Sequence, residues 1–166
     1  MPSFDITTGV DLQEVDNAIN QATKEIGQRY DFKDAKVATV EFDRKAGTIA
    51  LHADHDMRMR AMWDVVQSKL IRRGVSVKNV DAGEPIPAGG DTLKRTITLK
   101  QALDIETSKK ISAFIKAAKF KKVQPSIQGD EVRVSAPDKD ELQAVIAALR
   151  AEEWDVELKF GNFRER

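Results

Sequence analysis

The chain writes one pattern twice, and that repetition constrains its fold more than any other feature of the sequence. Apolar residues at steps of three and four mark helices, and strict alternation marks strands. Leu12, Val15, Ile19, Ala22 and Ile26, behind a capping Asp11, predict a helix over residues 11–29. Met62, Val65, Val66, Lys69 and Leu70 predict a second over 56–73, closed by Gly74. Ile111, Phe114, Ile115 and Ala118 mark a third, and Leu142, Val145, Ile146 and Leu149 a fourth. Strands of period two are expected at Phe4 and Ile6, at Ala38 to Phe42, at Ile49 and Leu51, and from Val75 to Val80. Four more are expected at Ile97 and Leu99, at Val123 to Ile127, at Val132 and Val134, and at Val156 to Phe160.

The order is strand, helix, strand, strand, helix, strand, and then the same again. Ala22 and Ile26 align with Phe114 and Ala118 at an offset of 92, Ile49 and Leu51 with Val132 and Val134 at 83, and Val75 and Val77 with Val156 and Leu158 at 81. The first copy therefore carries about nine extra residues after its first helix, and Arg29-Tyr30-Asp31-Phe32-Lys33 lies among them. A βαββαβ unit gives a four-stranded antiparallel sheet with both helices on one face, so the expected class is α+β, with two ferredoxin-like units. The strand ending at Val80 meets the strand at 93–99 through the turn-rich DAGEPIPAGGDT, read as a plain connector, and consecutive antiparallel strands tend to pair. If they do, the N-terminal strand fills the vacated slot in the other unit. The expected units are then 9–100 and 1–8 plus 101–166, with exchanged N-terminal strands; a plain tandem is the alternative.

Composition narrows the function classes. With 166 residues and 41% hydrophobic content the chain can bury a core, and having no cysteine it forms neither disulfides nor thiolate metal sites. No run reaches the ~18 apolar residues of a membrane span, and the opening MPSFDITTGVDLQEVD is no signal peptide, so a cytoplasmic location without membrane contact is expected. The 27 basic and 27 acidic residues cancel, which removes the general basic field of a nucleic-acid coat and makes any anion site local.

Two basic runs stand out. Arg58, Arg60, Lys69, Arg72 and Arg73 cluster on or near one helix, and arginine forks can hold phosphate oxygens or a guanine edge. Lys109, Lys110, Lys116, Lys119, Lys121 and Lys122 form the weaker set, because lysine-rich helix faces commonly serve solubility. Arg29, Tyr30, Asp31 and Lys33 combine a ring for stacking, a carboxylate for a guanine edge and two cations for phosphate. The same segment can instead be structural, with Tyr30 and Phe32 as plugs and Arg29 facing the helix terminus. The sheet faces turned from the helices bear no aromatic residue, which disfavours the base stacking of RNA-recognition motifs.

His52-Ala53-Asp54-His55-Asp56 has the composition of metal ligands, but Asp54 or Asp56 reads as a helix cap and no further histidine exists, so no metal is expected. No nucleophile elbow, phosphate-binding glycine loop, dinucleotide fingerprint or His-Glu-x-x-His is present. A non-enzymatic binding protein without cofactor is therefore expected. The residues leave three readings open: a nucleotide binder, an RNA-binding module using the basic helices, and an interaction scaffold whose polar sheet faces meet another protein or another copy.

PSFDI, VDLQEVDNAINQA, KEI and RYDFK near the start, RRGV at 72–75, IQGDEVRV at 127–134, DELQAVIAALR at 140–150 and F-x-NFR at 160–164 together resemble the YajQ-like family of bacterial proteins. The resemblance spans essentially the whole chain. It implies a duplicated ferredoxin-like fold with exchanged N-terminal strands. It also implies nucleotide or nucleic-acid binding, with cyclic di-GMP as the expected ligand, GTP or ATP as others of its class, and a transcription regulator as partner. Asp34 stands where the family usually has glycine, and HADHDMRMR replaces a more acidic helix start.

Overall fold

The computed structural model describes residues 1–165; Arg166, last residue of the expected 101–166 segment, lies outside them. The described chain is α+β, with four α-helices and two antiparallel sheets, in keeping with duplicated ferredoxin-like units. It divides into two compact units, one of Val10–Lys100 and one of Met1–Gly9 with the chain from Gln101 onward.

The chain opens with β1 (Ser3–Thr7), a strand of the second unit, and then builds the first. Here α1 (Leu12–Gln28) is followed by a 3-10 turn at Tyr30–Phe32, β2 (Ala38–Asp43), β3 (Thr48–Ala53) and α2 (Asp56–Arg72). A second 3-10 turn at Val77–Asn79 leads to β4 (Val80–Asp81), β5 (Ile86–Ala88) and β6 (Thr92–Leu99). The sheet order is β2-β3-β6-β4, with β5 also on β6. Ile49, Leu51 and Ile97 of the sheet are fully buried with Val15, Ala22, Met59, Met62 and Val66 of the helices. Asp11 starts α1 by accepting the N–H groups of Gln13 and Glu14 at 3.0 and 3.4 Å. Gly74, at φ 81°, stops α2 in a left-handed conformation that a side chain would resist.

Three local expectations need correcting. The cap of α2 is His55, whose Nδ1 accepts from Arg58 N–H at 3.3 Å, and neither Asp54 nor Asp56 serves that end. The strand expected over 75–80 shrinks to Val80–Asp81: Val75 is buried, but Val77 is 51% exposed within the 3-10 turn. Asn79 enforces the turn, being fully buried with its amide donating to the Lys100 carbonyl at 2.9 Å. The connector at 81–92 contains β5, which adds a strand to an expected four.

In the second unit α3 (Ile105–Ala117), β7 (Gln124–Gln128), β8 (Glu131–Ser135), α4 (Lys139–Arg150) and β9 (Lys159–Arg164) complete a sheet of order β7-β8-β1-β9. Phe4, Ile6, Val132 and Val134 line the core side of that sheet under Ile111, Val145 and Leu149. The last strand lies later than its apolar alternation suggests, although Val156 is still buried.

Candidate functional site

The segment after α1 is folded by its aromatic residues pulling opposite ways. Arg29 turns extended and ends the helix, and the next three residues coil so that Phe32 enters the core at 7% exposure while Tyr30 stands in solvent at 87%. Arg29 grips Asp31 with two parallel bonds of 3.0 and 2.8 Å, and its guanidinium lies 5.6 Å from the Phe32 ring. These bonds hold the Asp31 carboxyl below the usual carboxylate range and raise Arg29. The carboxylate expected to read a guanine edge thus already accepts two bonds from Arg29. Lys33 reaches back over Tyr30, its Nζ 5.9 Å from the ring centre.

The cations of α2 are similarly engaged. Arg58 donates to Asp54 at 2.5 Å and to the Asp31 carbonyl at 3.2 Å; Arg60 pairs with Asp56 at 3.0 Å. Lys69 pairs with Glu25 and Arg73 with Glu14, both at 3.0 Å. Arg72 is exposed in the last turn of α2. Along α1 and beyond, Glu14, Glu25 and Asp31 meet Arg73, Lys69 and Arg58, so the two helices run in opposite directions and Asp31, Arg58, Lys69 and Arg73 lie along their shared seam. Lys69 is the chief reason that Glu25 titrates low. Five of the seven expected cations (Arg29, Arg58, Arg60, Lys69 and Arg73) therefore carry a carboxylate of their own. Among the described residues Lys33 and Arg72 carry none.

Beside this face lies an open cleft of about 730 Å³ between α1 and β2. Ile26, Phe32 and Val40 give it an apolar floor, and Lys33 and Lys36 stand among its lining residues. Gly27 widens it, since a Cβ there would meet nothing within 4 Å. The loop carrying both lysines is tied down from behind. Asp54 accepts the Lys36 N–H at 2.9 Å, and the Arg58 it also binds holds the Asp31 carbonyl. Burial opposes ionisation of Asp54, but these donors outweigh it and its carboxyl titrates low. Of the nine expected residues only Lys33 lines the cleft. Lys36 and Val40 were missed, and the available signal was the half-apolar strand Ala38-Thr39-Val40-Glu41-Phe42 following directly on RYDFK.

Elsewhere, His52 Nε2 bonds the Thr92 hydroxyl at 2.8 Å, and the described residues contain no group of three side chains able to hold a metal ion. The lysine run of α3 and its following loop includes Lys119 and Lys122 in left-handed conformations. A cluster that the sequence did not reveal centres on Asp5, which is 2% exposed and accepts from Arg133 at 3.1 Å, Asn162 at 2.6 Å and Arg164 at 3.2 Å.

Comparison with known proteins gives a consistent result. The family model described as "Nucleotide-binding protein YajQ-like" matches residues 2–164. A "Nucleotide-binding protein" of Trichlorobacter lovleyi is 46% identical over 165 residues, covering 99% of this chain and all of the relative. Another so named, from Geotalea uraniireducens, is 46% identical with the same coverage, and one from Chloroherpeton thalassium is 42% identical over 162 residues, 98% of this chain and 97% of its own.

Proposed function

The chain belongs to the YajQ-like nucleotide-binding family, and from that premise we propose that it binds a nucleotide in the cleft between α1 and β2. The observation that carries the reading is the pairing of an apolar floor with two lysines not engaged in any ion pair among the described residues, beside a solvent-facing tyrosine ring. The cleft volume suits a nucleotide-sized ligand. A base has Ile26, Phe32 and Val40 to lie on or Tyr30 to stack against, and phosphate oxygens have Lys33 and Lys36 as point charges. Arg29, Asp31 and Arg58 act one step back, by fixing the loop that presents those lysines.

The ligand we favour is a cyclic dinucleotide of the cyclic di-GMP type, with GTP and ATP as competitors, and the outcome regulatory: a cytoplasmic, non-enzymatic effector that passes its state to a transcription regulator. The sequence supports the non-enzymatic part, since it carries no catalytic motif.

Calorimetric titration with cyclic di-GMP, GTP and ATP tests the site. Lys33→Ala and Lys36→Ala should each weaken the preferred nucleotide about tenfold, the value of one charge-assisted bond. Arg60→Ala, which removes a cation already paired with Asp56, should change little. Absence of heat with all three nucleotides, or parent-like binding by both lysine variants, would defeat the assignment.

A further inference from the structure

The two sheets expose four outer edges, and they are not equally guarded. An unpaired strand edge is a template for another strand, and proteins ordinarily blunt it with proline, bulges, shortness or charge. In the second unit β7 carries Pro125. At the other side β9 is paired through a register shift opposite Ser3 to Asp5, with Asn162 left-handed at φ 52°. In the first unit the outer side of β6 is covered by β4, two residues long, and by β5, three residues long and containing Pro87. The remaining edge, β2, is guarded only by the charges of Glu41 and Asp43. Its six residues hold an unbroken register with β3 from Ala38↔Ala53 to Asp43↔Thr48, with no proline, glycine, lysine or bulge.

The inward side chains of β2 are also left incomplete. Ala38, Val40 and Phe42 pair across to the buried Ala53, Leu51 and Ile49, yet all three remain only half-buried. Ala38 and Val40 border the open α1–β2 cleft.

We propose that the β2 edge pairs antiparallel with the β2 edge of a second copy of this chain. The register follows from side-chain parity. Opposed residues of an antiparallel pair share a face, so a twofold axis must pass through a residue, and Val40 is the choice that matches chemistry. Val40 then meets the second copy's Val40, and Ala38 meets the second copy's Phe42, which extends the apolar side of the sheet over the cleft floor. On the opposite face Thr39 meets the second copy's Glu41, so no carboxylate opposes another. Asp43 falls opposite residue 37 of the second copy, beside its Lys36. An extended strand of some other protein would find the same main-chain groups, but the self-matching of these six side chains selects a second copy. Its test reads self-association without nucleotide, so it fails separately from the proposed function, although Thr39, Val40 and Glu41 line the cleft as well as form the strand edge.

The test is sedimentation equilibrium over a wide concentration series on the full chain and three variants. Thr39 and Glu41 are exposed, so substituting them leaves the core intact. The parent should show a reversible monomer–dimer equilibrium. Thr39→Glu places like charges opposite each other twice per dimer and should weaken it about tenfold, whereas Thr39→Lys, facing Glu41, should tighten it. Thr39→Glu combined with Glu41→Lys restores opposite charges and should recover parent-like dimerisation. A parent that remains monomeric throughout, a shift in the same direction for Thr39→Glu and Thr39→Lys, or no recovery in a double variant with parent-like circular dichroism would each overturn the proposal.

Discussion

A carboxylate on the open face of a small sheet ordinarily meets water, but Asp5 is buried beneath Arg133, Asn162 and Arg164. Burial alone would raise its pKa; the hydrogen bonds from Asn162, Arg133 and Arg164 outweigh that and lower it. A depressed carboxyl contributes stability that is present above the unfolded value, near 3.8, and is lost as pH falls through the folded value. Asp5→Asn should therefore cost about 2–3 kcal/mol at pH 7, less than a wholly buried pair because both arginines remain about one-third exposed. In urea unfolding the gap between parent and variant should narrow towards pH 3. A gap that stays constant would mean the charge of Asp5 contributes nothing. Alternation alone places Asp5 and Arg133 on the polar face, but not their meeting: that needs the register Asp5↔Arg133 and the shift in β9 that brings Asn162 and Arg164 to the same carboxylate.

Helices proved more legible than strands, because caps and stops are local while strand pairing is not. Asp11 and Gly74 bound their helices as their chemistry requires. Val75 and Val77 imitated a strand, but buried Asn79 needs the Lys100 carbonyl and coils the chain to reach it. Pro85 and Pro87 read as connector residues, and Pro87 nevertheless sits in β5, where an edge strand tolerates the missing N–H. Where α2 is stopped by Gly74, α3 is followed by Lys119 at φ 59°, a conformation that costs a side chain about 1–2 kcal/mol. Lys119→Gly removes that cost and gives back part of it through the freer unfolded chain. It should raise stability by about 0.5–1 kcal/mol, read as an upward shift in melting temperature; a fall would show that the lysine side chain supports the loop.

At the scale of the whole molecule, each unit has its own sheet and its own buried cluster. We propose that residues 9–100 fold independently of 1–8 plus 101–166. That fragment, expressed alone, should give dispersed amide resonances and a cooperative thermal transition; a molten spectrum would show that it borrows stability from the rest. RYDFK adjoins the proposed cleft, but the arginines that draw attention by their charge are matched: Arg29, Arg58 and Arg60 to Asp31, Asp54 and Asp56 two or four residues away, and Arg73 to the distant Glu14, which only folding brings near.

That internal matching bears on how a ligand arrives. Five guanidinium and ammonium groups whose fields are cancelled at contact distance project little potential beyond the first layers of water. A phosphorylated visitor is therefore not drawn in from afar. On the proposed assignment it reaches the cleft by unaided diffusion, and discrimination begins with contact at Lys33 and Lys36.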